Sequence, residues 1–367
     1  MIKKYKISVS LTILLFLLII ISITSIYASD SLLKESLQGI YMKQLVWYGL
    51  GIILVLILLK INNKLIYQYS FILYVLGILS LVLVLFFGKV INGATSWFIT
   101  PFGSFQPSEF MKIILILINA KIIDNFKGKN NSIKNDLILI LKLFVITLIP
   151  SILTFIQPDT GSTFIYLIIF VFMLFISGIR LRFFIIGGAI IISAVSFLFY
   201  SFLYNQQLFE KVFGINSFYR MERIMSWKDG TGYQYENAIA SIGSGHLFGH
   251  GFASNDIYIP EAHTDYIFAV FASNFGFLAT FIFLSILFLF NLKILDIAIK
   301  IKNYIDKYMI IGFFGIILYS QFQNIGMILG LLPITGITLP FISYGGSSLI
   351  SYMLMIGMIF NASKNTH

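Results

Sequence analysis

Three polar side chains, Glu261, His263 and Asp265, stand directly before an apolar run that begins at Tyr266. A carboxylate at the mouth of a membrane cavity, with a raised pKa, could act as a general base. Asp265 could equally be the N-cap of the following helix, because its oxygens could accept hydrogen bonds from free backbone N–H groups. A His-Glu-Asp cluster could also bind a metal ion, although this spacing matches no strong zinc signature. The residues by themselves leave these interpretations open.

A second charged pair, Glu109 and Lys112, follows Pro107 and Ser108 at the start of another apolar segment. Residues three apart lie on the same face of a helix, so these two side chains can meet. Charged side chains at membrane depth are costly, and they should either pair with each other or face a wet cavity. The pair could therefore be a structural ion pair that orients the helix, or it could contact a substrate directly.

Two further motifs place a polar residue beside glycine. Asp159, in the segment 157–161 (QPDTG), could bind a cation or sugar hydroxyls, or it could cap the helix that follows. Ser244 lies between Gly243 and Gly245, and glycine allows a ligand to approach the backbone closely. The same glycines could instead form only a re-entrant turn.

The segment 340–348 (PFISYGGSS) ends in paired glycines and serines at the start of an apolar run. Free backbone N–H groups at a helix start could bind an anion such as diphosphate, with Tyr344 and Ser347 as neighbouring substrate-binding residues. Small residues also permit close packing between membrane helices, which is the alternative interpretation.

These motifs are separated by long apolar segments. Of the 367 residues, 58% are hydrophobic and 11% are charged, against about 25% charged residues in soluble proteins. A membrane helix needs roughly 20 apolar residues. The sequence therefore predicts an all-α polytopic membrane protein with about ten transmembrane helices. The approximate spans are 7–28, 44–60, 66–88, 109–124, 137–156, 161–179, 183–205, 265–291, 308–332 and 341–363.

The connections between these spans are short, with one exception at about 206–264, which is polar and rich in Gly and Tyr. Connections of this length are uncommon and usually functional. We expect a single membrane domain over residues 1–367, with this one long extracytoplasmic loop between helices 7 and 8. The first apolar run is longer than the core of a signal peptide and is interpreted as a retained helix. The absence of cysteine excludes disulfides and thiolate metal sites.

The distribution of Lys and Arg among the connections indicates the orientation of the chain in the membrane. Positive charge concentrates in cytoplasmic loops of membrane proteins, and placing both termini in the cytoplasm satisfies this rule. The net charge of +10 then needs no nucleic-acid partner, because it is scattered in short clusters between apolar runs. The inward connections carry Lys60, Lys64, Lys121, Lys127, Lys129, Lys134, Arg180, Arg182, Lys293, Lys300, Lys302 and Lys307, and the short outward ones carry Lys34, Lys43 and Lys89.

In this order, the motifs resemble the SEDS family (shape, elongation, division and sporulation), which comprises RodA, FtsW and SpoVE. The similarity covers nearly the whole chain. The matching residues are Gly93-Ala94 with Trp97, Phe105 to Glu109 with Lys112, Gln157 to Gly161, Gly232 to Gln234, Ile242 to Gly245, Pro260 to Asp265, Pro333 to Gly336 and Leu339 to Ser348.

The resemblance implies a ten-helix peptidoglycan glycosyltransferase of the bacterial cell membrane, with its active site on the outer face. Such an enzyme polymerises lipid II, an undecaprenyl-linked disaccharide peptide, with inversion at the anomeric carbon. It also implies a class B penicillin-binding protein as partner, together with other elongation or division machinery. The essential aspartate of the family maps onto Asp265. The compact ends of the chain favour the RodA subgroup, with an FtsW-like protein or a divergent sporulation paralogue as alternatives.

The chain departs from the family pattern at three places. Ser273-Asn274 stands where members often have two acidic residues, Thr95-Ser96 replaces a basic pair, and Gly245-His246 replaces Gly-Gly. In the implied mechanism Asp265 is the general base. A divalent cation, Mg²⁺ or Mn²⁺, or the side chains of Lys112, Arg220 or Arg223 could neutralise the leaving diphosphate.

Two functions of other classes stay open at this point. Charged residues inside a polytopic protein are also typical of transporters and of flippases for lipid-linked precursors. The position of the acidic residues near the outer face favours surface chemistry instead. A non-catalytic scaffold for the penicillin-binding protein is the second alternative.

Overall fold

Apolar runs of about 20 residues form the helices of this chain, as a computed structural model shows. The structure describes residues 8–33, 38–91, 93–100, 103–126, 132–215, 217–218, 221, 225, 232–254 and 257–364. The helices are α1 (Val9–Ser29), α2 (Ile40–Leu58), α3 (Asn63–Gln68), α4 (Ser70–Phe87), α5 (Pro107–Phe126), α6 (Ile133–Ile156), α7 (Thr160–Ile176), α8 (Leu181–Tyr204), α9 (Gln206–Phe213), α10 (Tyr233–Ser244), α11 (Ile267–Lys300), α12 (Tyr304–Ile328) and α13 (Gly346–Ser363).

Each of the ten predicted spans coincides with one of these helices. Among the described residues, eight helices are long and apolar enough to cross a membrane: α1, α2, α4, α6, α8, α11, α12 and α13. The other two predicted spans correspond to α7, which is apolar but has 17 residues, and to α5, which carries four charged residues. The all-α, multi-pass membrane fold predicted from the sequence is therefore confirmed.

The centre of the bundle is α5. Thirteen of its 20 residues are buried, and it packs against α4, α6, α7, α12 and α13. By contrast, the buried residues of α8 are Ser201 and Phe202, near its C-terminal end. The helix that begins with Glu109 and Lys112 is thus enclosed by protein, where other polar groups can meet its charges.

The connection between α4 and α5 forms a small antiparallel sheet that the sequence analysis did not anticipate. Its strands are β1 (Lys89–Ile91), β2 (Ala94–Thr100) and β3 (Gly103–Phe105), in the order β1-β2-β3. Gly93 adopts a φ of 81° in the turn between β1 and β2, a conformation that favours glycine. The strands are short and lie between two apolar runs, so their alternation of buried and exposed residues did not stand out in the sequence.

Part of the segment 206–264, which was predicted to be a loop, is helical among the described residues. It contains α9 and α10, and α10 packs against α11 and α12. Arg220 and Arg223, the two arginines considered for diphosphate binding, lie outside the described residues.

Helix α11 is broken at Gly276, which adopts a φ of 74°. The segment after α10 fills the break with its backbone. The N–H groups of Phe277 and Leu278 donate to the carbonyls of His246 and Leu247, at 2.9 and 3.2 Å. A Cβ on residue 276 would lie 2.3 Å from the backbone N of Gly249, so only glycine permits this approach.

Asn274 belongs to the same junction, and its contacts account for one departure from the family pattern. Its side chain donates to the carbonyl of Val270 at 2.8 Å and accepts from the N–H of Ser254 at 3.1 Å. Its own carbonyl accepts from the N–H of Gly251 at 3.1 Å. An ionised carboxylate accepts but cannot donate, so the neutral amide serves this buried position better than an acid would.

Candidate active site

The Asp265 turn, residues 261–266, precedes α11 and is closed by its own backbone. The N–H groups of Thr264 and Tyr266 donate to the carbonyl of Glu261, at 3.1 and 3.3 Å, and Glu261 adopts a φ of 51°. Tyr266, rather than Asp265, occupies the N-cap position of α11, and no side-chain hydrogen bond caps this helix among the described residues. The N-cap interpretation of Asp265 therefore does not describe the structure, and its carboxylate is available for another role.

Asp265 is partly buried and lies close to a second carboxylate. Burial, together with the negative charge of Glu261, raises the pKa of Asp265 to about 7. A general base works best when its pKa lies near the operating pH, so this environment suits proton abstraction. Glu261 itself is exposed and accepts a hydrogen bond from the Thr264 hydroxyl at 3.2 Å.

Two other side chains of the turn, His263 and Tyr266, are neutral near pH 7. Burial lowers the pKa of His263, although Glu261 and Asp30 oppose the shift, and burial raises the pKa of Tyr266 to about 12. The His263 Nδ1 atom and the Tyr266 hydroxyl are both buried without a hydrogen-bond partner among the described residues. These two polar atoms could receive a ligand.

The segment before α13 packs directly on the Asp265 turn. The N–H of Tyr344 donates to the carbonyl of His263 at 2.9 Å, and the rings of these two residues lie 5.7 Å apart. The Ser343 hydroxyl donates to the carbonyl of Thr264 at 2.6 Å. The structure thus brings together two motifs that are about 80 residues apart in the sequence.

The α12–α13 connection, residues 329–345, lies between Asp265 and the segment 157–161, which contains Asp159. Gly336 adopts a φ of 68°, and a Cβ on it would lie 3.6 Å from Oδ2 of Asp265. One residue earlier, the carbonyl of Thr335 lies 2.9 Å from the position that a Cβ on Gly161 would occupy. The connection therefore runs between the two predicted acidic motifs and contacts both.

The Asp159 carboxylate is bound within the fold. Its Oδ1 caps α7 by accepting from the N–H of Ser162 at 3.0 Å. Its Oδ2 accepts from the Gln106 side-chain amide at 3.0 Å and from the Ser108 hydroxyl at 3.1 Å. The capping interpretation of Asp159 describes the structure, and these bonds join the start of α7 to the start of α5.

Glu109 and Lys112 form the expected ion pair inside the bundle. Their Oε2 and Nζ atoms are 2.6 Å apart, and the Lys112 side chain is 1% exposed. The Lys112 ammonium also lies 5.1 Å from the ring centre of Tyr352, and the Ser351 hydroxyl donates to Glu109 at 3.4 Å. This enclosure favours a structural ion pair over direct contact with a substrate.

Ser347 and Ser244, the last two predicted site residues, lie in different parts of the structure. The Ser347 hydroxyl accepts from the N–H of Gln106 at 3.0 Å and donates to the carbonyl of Ser104 at 3.1 Å, which joins α13 to the start of α5. Ser244 lies at the end of α10, where its hydroxyl donates to the carbonyl of Ser241 at 2.8 Å. Within the described residues, no hydrogen bond joins Ser244 to the Asp265 turn.

Sequence reasoning missed Asn324, a fully buried residue of α12. Its side-chain amide donates to the carbonyl of Asp265 at 2.9 Å and to the carbonyl of Ile337 at 2.8 Å. The available signal was three amides within four residues, Gln321, Gln323 and Asn324, inside an apolar segment. Polar side chains at such positions usually hydrogen-bond to neighbouring elements, but the sequence does not say to which.

The described residues contain no group of three or more His, Asp or Glu side chains that could hold a metal ion. Mg²⁺ is commonly bound by only one or two carboxylates together with substrate phosphates. Glu261, the exposed carboxylate of the Asp265 turn, fits that simpler arrangement. It is the residue of this turn that would hold a divalent cation, which leaves the Asp265 carboxylate free.

Comparison with known proteins agrees with this architecture. A family model covering FtsW, RodA and SpoVE, described as "Cell cycle protein", matches residues 3–367. The chain is 32% identical to FtsW of Thiomicrospira cyclica, described as a probable peptidoglycan glycosyltransferase, over 97% of this chain and 92% of that protein. It is 31% identical to the peptidoglycan glycosyltransferase MrdB of Escherichia coli, over 99% and 95% of the two chains.

A solved structure extends the similarity to the fold. A chain of a peptidoglycan synthase complex that coordinates polymerization and crosslinking superposes with a TM-score of 0.79 at 24% identity, over 99% of both chains. The full-length match to the family model, supported by two relatives above 30% identity, settles the family. The chain belongs to the FtsW/RodA/SpoVE family, the SEDS family that its motifs resemble.

Proposed function

We propose that this protein is an inverting peptidoglycan glycosyltransferase that polymerises lipid II into glycan strands, with Asp265 as the general base. The supporting observation is the Asp265 carboxylate, which does not cap α11. It is partly buried beside Glu261 and lies next to Gly336. The relatives named as peptidoglycan glycosyltransferases support the same reaction.

The proposed step forms one bond and breaks one. A sugar hydroxyl of the acceptor attacks the anomeric carbon of the lipid-linked donor, and the bond from that carbon to the diphosphate oxygen breaks. The hydroxyl proton passes to Asp265. The diphosphate leaves as an anion that is stable without protonation, so the reaction needs a base and charge stabilisation more than a general acid.

The source of the positive charge at the diphosphate is a separate question. Lys112 is already paired with Glu109 inside the bundle, which makes it a weak candidate. Arg220 and Arg223 stay candidates from the sequence. A Mg²⁺ or Mn²⁺ ion held by Glu261 together with the substrate diphosphate would supply Lewis-acid stabilisation when bound. Polymerisation in the presence of a chelator, followed by re-addition of each metal, tests this role.

The alternatives are a flippase for lipid-linked precursors and a non-catalytic scaffold. The relatives favour neither of them, since two are named as glycosyltransferases. Purified protein supplied with labelled lipid II separates the three functions. Glycan polymer supports the transferase, translocation across vesicles without polymer supports the flippase, and neither product, with the partner present, supports the scaffold.

A class B penicillin-binding protein is the proposed partner. The similar solved chain is part of a complex that couples polymerization to crosslinking, which supports a partner that crosslinks the new strands. Identities of 32% to an FtsW and 31% to MrdB do not separate the subgroups. Assignment to RodA therefore stays a prediction, as does the choice between elongation, division and sporulation.

The proposed orientation places both termini in the cytoplasm and the 206–264 segment outside. Two exposed residues test it in this cysteine-free chain, Gln207 in α9 and Lys302 between α11 and α12. An impermeant thiol reagent applied to whole cells should label Gln207→Cys and spare Lys302→Cys, because basic connections stay inside. Lysed cells, in which both variants should react, are the control. Labelling of Lys302→Cys in intact cells would invert the orientation.

The pH dependence of polymerisation follows from Asp265. A base must be deprotonated to accept a proton, and burial beside Glu261 raises the pKa of Asp265 to about 7. The rate should therefore rise as the pH increases through about 7 and fall roughly tenfold per unit on the acid side. The value of kcat/KM measured from about pH 5 to about pH 9 tests this, because that ratio reports the pKa of the substrate-free enzyme. A rate independent of pH below 7 would contradict the assignment.

A further inference from the structure

We propose that Asn324 is a positioning residue for the glycosyl transfer, and that its side-chain amide fixes Asp265 relative to the α12–α13 connection. The inference rests on the proposed function, because it concerns the placement of the proposed base. Asn324 is fully buried near the C-terminal end of α12, and it approaches the Asp265 turn from another part of the bundle.

The two hydrogen bonds of Asn324 go to different segments. One joins its Nδ2 atom to the carbonyl of Asp265 at 2.9 Å, and the other joins the same atom to the carbonyl of Ile337 at 2.8 Å. The Oδ1 atom of Asn324 is buried without a partner among the described residues. An unpaired buried acceptor is costly, so the side chain serves as a bridge between the two carbonyls rather than as a fully satisfied structural amide.

Both segments that Asn324 holds contribute to the surroundings of the base. Ile337 follows Gly336, whose missing side chain leaves room beside the Asp265 carboxylate. A Cβ on residue 336 would lie 3.6 Å from Oδ2 of Asp265. The side-chain amide of Asn324 thus fixes both the backbone of Asp265 and the backbone next to Gly336.

The preceding residue of α12 provides an internal comparison. Gln323 is also buried, and its side-chain amide donates to the carbonyl of Pro333 at 2.9 Å, in the same connection. Among the described residues, Gln323 therefore anchors the connection and makes no hydrogen bond to Asp265. If the amides served only to hold the connection, removal of either one should have similar consequences.

Loss of the Asn324 amide should affect the chemical step more than substrate binding. A misplacement of about 1 Å in a reacting group can cost about 10²-fold in rate, while contacts that bind the rest of the substrate persist. We expect Asn324→Ala to lower kcat at least about tenfold with KM changed less than about twofold. We expect Gln323→Ala to lower kcat less than about threefold.

The experiment compares the two variants in polymerisation of labelled lipid II by the full-length protein with its penicillin-binding partner. Thermal unfolding in the same detergent identifies a variant that fails to fold. Asn324→Leu, which fills nearly the same space without donors, replaces Asn324→Ala in that event. Equal losses of kcat in the Asn324 and Gln323 variants, or a change confined to KM, would overturn the positioning role.

A double variant separates this inference from the proposed function. If Asn324 acts through Asp265, then Asp265→Asn/Asn324→Ala should be no slower than Asp265→Asn alone. Additive losses would contradict the inference while leaving the general base intact. Near-normal polymerisation by Asp265→Asn would instead refute the proposed base, and with it the positioning role that depends on it.

Discussion

Replacement of Asp265 by Asn should reduce polymerisation of lipid II by about 10²-fold or more while the protein remains inserted and folded. The amide occupies the same space as the carboxylate but cannot accept the proton of the attacking hydroxyl. A capping role would predict little change, because Asn caps helices about as well as Asp. Among the described residues, α11 has Tyr266 at its N-cap position and no side-chain cap. A loss of activity in Asp265→Asn could therefore not be attributed to the loss of a helix cap.

The assay measures glycan polymer formed by the purified protein with its cognate penicillin-binding protein present. His263→Ala and Glu261→Gln are the comparison variants from the same turn, and milder losses are expected if these residues only shape it. Near-normal polymer formation by Asp265→Asn would contradict the assignment of Asp265 as the general base. Asp159 and Glu109 would then be the next candidates for that role. Both of those carboxylates are already bound inside the fold, which makes Asp265 the more available base.

Replacement of Lys112 by Met should strongly destabilise the protein. It would leave the Glu109 carboxylate buried without its partner, which lies 2.6 Å away in the intact chain. Breaking a buried ion pair by removing one partner typically costs about 3–5 kcal/mol. Thermal unfolding in detergent and the yield of inserted protein measure the effect. Lys302→Met, which changes an exposed lysine in the connection between α11 and α12, is the matched control and should have little effect.

The double variant Glu109→Gln/Lys112→Met tests the pairing itself. With both charges removed, position 109 no longer carries a buried carboxylate without a partner. Folding should therefore recover relative to Lys112→Met alone. Losses that equal the sum of the two single variants would show that the side chains act independently. Recovered folding together with lost polymerisation would indicate that the pair also contributes to activity.

The helices of this protein could be predicted from the sequence because their signal is local. A run of about 20 apolar residues must form a helix in a bilayer, where no water can satisfy the backbone. The same local argument identified Glu109 and Lys112 as a pair, since a spacing of three residues is enough to bring them together. The order of the motifs was specific enough to indicate the family.

The break in α11 and the strands between α4 and α5 were beyond that reasoning. Gly276 stands in an apolar run that reads as an uninterrupted helix, and the break is stabilised by the backbone of His246 and Leu247, about 30 residues earlier. Such contacts leave no periodic pattern in either segment. The true end of α11 at Lys300, nine residues beyond the predicted end, was missed because the charged residues near it were interpreted as part of a loop.

The sequence determined the membrane fold, the family and the choice of Asp265, because each of these depends on residue types along a continuous segment. Only the tertiary structure decided what surrounds that carboxylate. Gly336 and Asn324 reach Asp265 from segments about 60 to 70 residues later in the chain, and their effects on its position and burial depend on how α11, α12 and the connection pack together. The pKa of a carboxyl group is set by this three-dimensional environment, so a linear motif can nominate a base but cannot show how it is held.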